Sequence, residues 1–165
     1  MKRIAILASL AVLFITSVFG DKPTGEARYS VVAIHAHLYF HETGKTSPTD
    51  LLDGNNHALW NTITGEGEAR SPSSAIMVLI DLVGPDFTHS DGKLAVKVTD
   101  SKKTLLDSVL LLDDWFSDGR KVALPVIVYG TGCSKLNITA TLQGLSAEMV
   151  GTATLTRSIL FECGE

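Results

Sequence analysis

Histidine is the side chain of this sequence best suited to metal chemistry, and three of its five histidines lie in one short segment. Apolar residues occupy every second position over residues 32–40, which places His35 and His37 together on the opposite face of a β-strand, with His41 in the same phase. Two imidazoles spaced two residues apart on a strand project in parallel and can reach one Zn²⁺ or Cu²⁺ ion. The same spacing also occurs on polar outer faces that bind nothing, so both interpretations stay open.

A second set of candidate residues lies in a long stretch, residues 41–73, that lacks a regular hydrophobic period. Long loops in compact domains are often functional. Glu66, Glu68 and Arg70 combine two carboxylates and a guanidinium with neighbouring glycines, which suits an acid and base pair, a calcium-binding loop or a solvated turn. Trp60 precedes them and is expected either to anchor the loop on the core or to contact a protein or carbohydrate.

The same stretch carries a faint family resemblance. Its residues are Leu59-Trp60-Asn61-Thr62, Gly65-Glu66-Gly67 and Pro72-Ser73. This pattern resembles one seen in small, uncharacterised exported bacterial proteins. The resemblance covers a small part of the chain and implies no activity.

The first twenty residues have the composition of a cleavable signal peptide. Lys2 and Arg3 precede an almost unbroken apolar run, and Val18 and Gly20 provide compact residues at positions −3 and −1 of a cleavage site. The run is too short to span a bilayer comfortably, and no later apolar run of eighteen or more residues follows. We therefore expect a secreted or periplasmic protein with no membrane span after cleavage, and a single domain over residues 21–165.

The charge balance of the expected mature chain argues against nucleic acid as a partner. Removing the leader leaves twelve of the 14 Lys and Arg residues against 18 Asp and Glu residues, a formal balance of −6. A net negative chain without a basic cluster lacks the phosphate contacts that dominate binding to nucleic acids. A protein or a carbohydrate partner is left open.

Only two cysteines are present, Cys133 and Cys163. In an oxidising compartment an even pair without the C-x-x-C spacing of redox motifs is expected to form one structural disulfide. Strand patterns on both sides of a turn near residues 144–147 would bring the two cysteines together at the open end of a hairpin.

Period-two alternation over the rest of the chain predicts an all-β fold. The expected strands cover residues 29–40, 74–83, 93–99, 104–112, 121–129, 134–142 and a final strand from about residue 150, separated by Gly, Pro, Asn, Asp and Ser turns. Short strands at this spacing are typical of an antiparallel β-sandwich, immunoglobulin-like and of about eight strands.

Three segments carry more specific expectations. Residues 74–83 and 104–112 are apolar at both odd and even positions, so both segments are expected to lie centrally in a sheet or against another layer. Pro125 cannot donate a ladder hydrogen bond, so residues 121–129 are expected at a sheet edge or a bulge. Ser47 and Pro48 favour one helical turn over residues 47–52.

The sequence favours a non-catalytic function. No arrangement of nucleophile and base is evident, so we expect an exported β-sandwich that acts in surface recognition or as a structural component of the cell envelope. A Zn²⁺- or Cu²⁺-binding protein that uses His35 and His37 is one alternative. An exported hydrolase that uses Glu66 and Glu68 is another.

Overall fold

A computed structural model describes residues 28–54, 59–60, 66–67, 73, 75–85, 91–112, 121–132 and 134–161. The expected leader, the two cysteines, Glu68 and Arg70 lie outside these residues. The strands are β1 (Ser30–Phe40), β2 (Lys45–Thr46), β3 (Leu59–Trp60), β4 (Glu66–Gly67), β5 (Ala75–Val83), β6 (Lys93–Thr99), β7 (Thr104–Leu111), β8 (Lys121–Tyr129), β9 (Leu136–Gln143) and β10 (Thr154–Ile159). One short 3-10 helix, Ala147–Met149, precedes β10.

The eight strands outside the small β3–β4 pair form two four-stranded antiparallel sheets. The first sheet has the order β2-β1-β5-β8, and the second has the order β10-β9-β6-β7. Buried side chains of both sheets belong to one hydrophobic cluster, so the sheets pack face to face. The predicted all-β sandwich is confirmed.

Alternation decides which side chains enter this core. Along β6 the buried residues are Leu94, Val96 and Val98, and the residues between them are exposed or half-buried. The strand β9 repeats the pattern with every second residue buried from Leu136 onward. The inward faces predicted for both strands are therefore correct.

The pattern of β1 departs from the prediction at its start. The strand register shifts between Val31 and Ala33 where β1 pairs with β5. As a result Val31 enters the core, while Val32, which simple alternation assigns to the core, is 44% exposed. Beyond the shift, Ile34, Ala36 and Leu38 are buried as expected. An extra residue in one strand moves every side chain before it to the other face.

The two strands that are apolar on both faces have different positions. The strand β5 lies between β1 and β8, as expected. The strand β7 lies at the edge of the second sheet, and its outward side chains Val109 and Leu111 are 54% and 60% exposed. The central position predicted for the 104–112 segment is therefore wrong, while Leu106 and Leu110 pack against the core between the two sheets.

Pro125 lies in β8, at the edge of the first sheet. This confirms the edge position predicted for that strand, because the missing N–H of a proline can face solvent at an edge, whereas in a central strand it would leave a ladder hydrogen bond unmade.

The predicted helical turn over residues 47–52 is absent, and these residues form bends and turns instead. The Ser47 hydroxyl bonds to the Thr49 carbonyl oxygen, and the Asp50 carboxylate accepts a hydrogen bond from the N–H of Leu52. Side chains of these types compete with helical hydrogen bonding, and here the competing bonds prevail.

The sandwich is closed by a contact between the two ends of the described chain. Tyr29, just before β1, forms a parallel bridge with Val150, just before β10. The N–H of Tyr29 donates to the Met149 carbonyl oxygen at 2.8 Å, and the N–H of Gly151 donates to the Tyr29 carbonyl oxygen at 2.9 Å. In the part of the chain that the structure describes, no helix has the length and apolar character to cross a membrane.

Candidate functional site

The outer face of the first sheet brings together both candidate histidines of β1. On one side β1 pairs with β5, and on its other side β2 reaches only Tyr39 and Phe40. Residues 47–52 follow the remaining edge of β1. The N–H groups of Leu38 and Ala36 donate to the Ser47 hydroxyl and the Asp50 carboxylate, each at 3.0 Å. Polar side chains thereby replace the neighbouring strand that this edge lacks.

Asp50 also holds His35. Its Oδ2 atom lies 2.7 Å from His35 Nδ1. The Nε2 atom of the same imidazole lies 3.7 Å from Asp81 Oδ2 on β5, and Asp81 Oδ2 lies 3.8 Å from Lys121 Nζ on β8. A chain of alternating acidic and basic groups therefore runs across the sheet from residues 47–52 to β8.

Several hydrogen bonds stabilise the charged form of Asp50. Burial acts to raise the pKa of this carboxyl, but hydrogen bonds from the N–H of Ala36, from His35 and from the N–H of Leu52 outweigh burial and hold the pKa below its ordinary value of 3.8. Asp50 is therefore ionised at neutral pH. Its main role is to fasten residues 47–52 to β1.

His37 is held by backbone oxygens. Its Nδ1 atom lies 3.1 Å from the Ser47 carbonyl oxygen and 2.9 Å from the Thr49 carbonyl oxygen. A carbonyl oxygen can only accept, so Nδ1 carries the hydrogen. The ionised Asp50 carboxylate assigns the hydrogen of His35 to Nδ1 in the same way. In the neutral form of both rings the lone pair is then on Nε2.

His35 and His37 have the hydrogen-bond partners that orient histidine ligands in metal sites, but they provide only two ligands. Metal-binding histidines usually donate their other N–H to a carboxylate or a carbonyl oxygen, as His35 and His37 do here. Across the described ranges, however, no three His, Cys, Asp or Glu residues are grouped to hold a metal ion. His41 lies in the exposed turn after β1. Metal binding by these histidines stays a prediction.

Apolar and aromatic side chains continue the same face beyond the histidines. In the strand register, His37 lies beside Met77 and then Ile127, and His35 lies beside Leu79 and then Pro125. We call the set Met77, Leu79, Pro125 and Ile127 the apolar strip. Tyr129 ends β8 on this face and is 59% exposed.

The two ends of the apolar strip differ in chemistry. Tyr129 is opposite Ala75 at one end. At the other end, Asp81 and Lys121 line a surface cavity of about 240 Å³ together with Val122 and Ala123. Along the strands, this face therefore has the exposed Tyr129 at one end, the apolar strip in the middle and the Asp81–Lys121 ion pair at the other end.

The outer face of the second sheet is different in its β9–β10 half, because hydroxyl and amide side chains cover these two strands. Three cross-strand pairs are hydrogen-bonded side chain to side chain: Ser158 Oγ with Asn137 Oδ1 at 2.9 Å, Thr139 with Thr156 at 3.1 Å, and Thr141 with Thr154 at 3.3 Å. These groups largely satisfy one another. The contrast makes the first sheet the better candidate for binding.

The remaining predicted residues are only partly described. Trp60 and Glu66 are backbone partners in the antiparallel β3–β4 pair. Glu68, Arg70, Cys133 and Cys163 lie outside the described residues, so their predicted roles stay predictions. The nearest described cross-strand pair is Leu136 with Ile159, three residues after Cys133 and four before Cys163.

Sequence patterns did not indicate Asp50, Asp81 or Lys121 as site residues. Asp50 precedes a turn and Asp81 interrupts an apolar strand, which are ordinary places for an aspartate. Only the pairing of β1 with β5 and β8 brings them to His35. An acidic residue at an outward position of an otherwise apolar strand is the one feature that could have drawn attention to Asp81.

Comparison with known proteins shows a remote structural likeness. No protein family model and no curated protein sequence matches the chain. Among solved structures, the chain is similar to Bifidobacterium dentium β-glucuronidase complexed with coumarin-3-O-glucuronide, with a TM-score of 0.41 and 7% sequence identity. The likeness covers 82% of this chain and 18% of that enzyme.

Proposed function

We propose that the protein is an exported, non-catalytic binding protein that recognises a partner protein through the outer face of the first sheet. The observation that carries this proposal is the apolar strip, which runs between exposed Tyr129 and the Asp81–Lys121 pair. Secretion, or a periplasmic location, is part of the proposal and is supported by the leader-like first twenty residues.

The chemistry of this face favours a protein partner over a carbohydrate. Interfaces between proteins have apolar centres enriched in aromatic residues and Met, with polar groups at the rim. The centre here is aliphatic, formed by Met77, Leu79, Pro125 and Ile127. A sugar usually stacks on an aromatic ring, and the centre of this face is aliphatic rather than aromatic.

The polar residues at the rim of this face determine the orientation in which a partner can bind. Asp81 and Lys121 present both signs of charge at one end of the strip, while Tyr129 can place its ring on an apolar surface and its hydroxyl in water. A partner with an apolar centre and a charged group at one side would match only one orientation. Charges at a rim mainly set orientation and association rate.

Photo-crosslinking inside the producing cells tests this proposal. With p-benzoylphenylalanine in place of Tyr129, we expect one discrete protease-sensitive adduct, and with the same residue in place of Thr156 we expect none. Wild-type protein co-expressed in excess should compete the adduct away, whereas the co-expressed Ile127→Glu variant should not. Equal adducts from both positions, equal competition by both competitors, or no adduct would overturn the proposal.

A second candidate function, binding of Zn²⁺ or Cu²⁺, rests on the histidine tautomers. Because the Nδ1 atoms of His35 and His37 face the Asp50 carboxylate and backbone carbonyl oxygens, their Nε2 atoms are the ones left for an ion. Two protein ligands bind an ion more weakly than the three or four of established zinc sites.

Calorimetric titration of the purified protein with Zn²⁺ and Cu²⁺ tests this candidate. We expect the His35→Gln, His37→Gln double variant to lose binding by at least about tenfold, and His41→Gln to retain it, since two of the ligands are removed only in the first. Identical uptake by the wild-type protein and the double variant would eliminate the metal function.

A further inference from the structure

The four sheet edges of this sandwich are not equally protected. An edge strand presents unpaired N–H and C=O groups, to which another strand can pair, and natural proteins shield such edges. The strand β2 has only two residues, and residues 47–52 occupy the rest of the β1 edge. The edge strand β8 contains Pro125.

The edge strand β10 is protected by a charge. Arg157 pairs with Ile138, whose side chain is fully buried, so Arg157 occupies an inward register position and yet is exposed. A charged residue at an inward position of an edge strand would be buried unfavourably if a second sheet joined it.

Among the residues that the structure describes, none gives the fourth edge, β7, a device of this kind. This strand is eight residues long and contains no Pro, Lys or Arg. Its register with β6 is regular except at the start, between Val98 and Thr99. The strand has apolar residues on both faces, as buried strands do. Its outward residues Val109 and Leu111 are nevertheless more than half exposed. Its single charged residue, Asp107, is opposite Lys97 within the same chain.

We infer that β7 is a self-association edge, and that two copies of the chain pair antiparallel through β7 into a two-fold dimer with a continuous eight-stranded sheet. The unpaired backbone groups of an edge require a strand as the occupant, and an antiparallel pair of identical strands is closed by two-fold symmetry. This inference does not depend on the proposed recognition face, which lies on the other sheet.

The residues of β7 favour one register. In an antiparallel pair, directly opposite residues point to the same face of the sheet. The two-fold axis must therefore pass through a residue position of β7 and not between two residues. Centring it on Asp107 would place two like charges opposite each other, which is destabilising. Centring it on Ser108 places Val109 opposite Asp107 of the second copy and Leu111 opposite Leu105 of the second copy. The Asp107 charges are then offset, and each faces Lys97 of its own chain.

A charge substitution at Val109 tests both the edge and the register. Val109 is exposed, so Val109→Asp and Val109→Lys are expected to keep the fold, which circular dichroism and the thermal midpoint would verify. In the Ser108-centred register Val109→Asp places an acid opposite Asp107 of the second copy, whereas Val109→Lys places a base there. Sedimentation equilibrium of protein purified from cells that express the full-length chain measures the dimer Kd.

We expect the wild-type protein to dimerise reversibly at about 100 µM, a weak affinity because a single strand pair buries little area. Val109→Asp should raise the Kd at least tenfold, and Val109→Lys should leave it unchanged or lower it. The control Thr156→Asp, which adds the same charge to the opposite edge strand β10, should match the wild-type protein. A monomeric wild-type protein at this concentration, or equal weakening by both Val109 variants or by the control, would overturn the inference.

Cysteine crosslinking provides an independent measurement that does not require an altered charge. In the Ser108-centred register the two copies of residue 108 are opposite each other, so oxidised Ser108→Cys should give a covalent dimer. Leu106→Cys, whose counterpart is Leu110 of the second copy, should not. Covalent dimers from both variants, or only from Leu106→Cys, would contradict the register.

Discussion

His35 Nδ1 lies 2.7 Å from Asp50 Oδ2, which joins the middle of β1 to a segment fifteen residues later in the chain. The same carboxylate accepts hydrogen bonds from the N–H groups of Ala36 and Leu52, both at 3.0 Å. We expect Asp50→Ala to lower the free energy of unfolding by about 1–3 kcal/mol, since two N–H groups lose their acceptor. Asp50→Asn keeps an acceptor oxygen and should cost less. Urea denaturation of both variants measures the difference, and equal losses would contradict the role of the backbone bonds.

Acid should weaken this attachment. Burial tends to raise the pKa of Asp50, but hydrogen bonds from Ala36, His35 and Leu52 leave it below 3.8. A carboxylate whose pKa is lower in the folded state stabilises the fold fully above its unfolded pKa, and that contribution disappears as pH falls through the folded pKa. The wild-type protein should therefore lose more stability than Asp50→Asn below about pH 4. If the free energy of unfolding falls equally for the two proteins as pH is lowered, the ionised Asp50 carboxylate does not stabilise the fold.

The register shift in β1 can be tested by comparing two adjacent valines. Val31 is almost fully buried, and Val32 is 44% exposed. Val31→Ala should cost about 1.5–3 kcal/mol for the lost burial and the cavity, and Val32→Ala less than about 1 kcal/mol. Uninterrupted alternation of β1 predicts the reverse order. Thermal and urea unfolding of the two variants under the same conditions distinguishes the two.

Gly144 permits the turn between β9 and the 3-10 helix. Its φ is +76°, and a Cβ atom at this position would lie 3.2 Å from the Asp91 carbonyl oxygen. Gly144→Ala should cost about 1–2 kcal/mol, because side chains disfavour a left-handed backbone. The matched control is Gly132→Ala, where the φ is not positive and no atom lies within 4 Å of the added carbon. It should change stability by less than about 0.5 kcal/mol.

The predicted disulfide is open to a direct measurement. Intact-mass analysis of the protein recovered after secretion or from the periplasm should show two hydrogens fewer than the reduced chain and no free thiol. Cys133→Ser should lower the free energy of unfolding by about 3.7 kcal/mol in the loop-entropy model. Two alkylatable thiols in the native protein would show that Cys133 and Cys163 are not bonded.

Much of the fold could be predicted from alternation, because a strand with one buried face has the same two-residue period wherever it lies. The strands β6 and β8 have the predicted bounds, and the inward faces of β6 and β9 are as predicted. Pro125 marks an edge for a local reason, its missing N–H. Such features depend on a residue and its near neighbours.

Two of the errors have a different cause, since they depend on pairing between distant parts of the chain. The register shift at Val31 appears only in the pairing with β5, and the edge position of β7 only in the order of strands. The candidate site also depends on pairing between distant segments. The sequence predicts that His35 faces outward, but the partners Asp50 and Asp81 come from two other elements.

The bridge between Tyr29 and Val150 has a consequence for how the protein folds. Ser30 and Thr152, which are hydrogen-bonded beside this bridge, are separated by 122 positions in sequence. Bringing such distant segments together is entropically costly and slows folding, as in other proteins of high contact order. A chain emerging from a ribosome or a translocation channel would have to release nearly its whole length before β1 could dock at both ends. Premature truncation before Val150 should thus remove this bridge and leave the start of β1 held by its pairing with β5 alone.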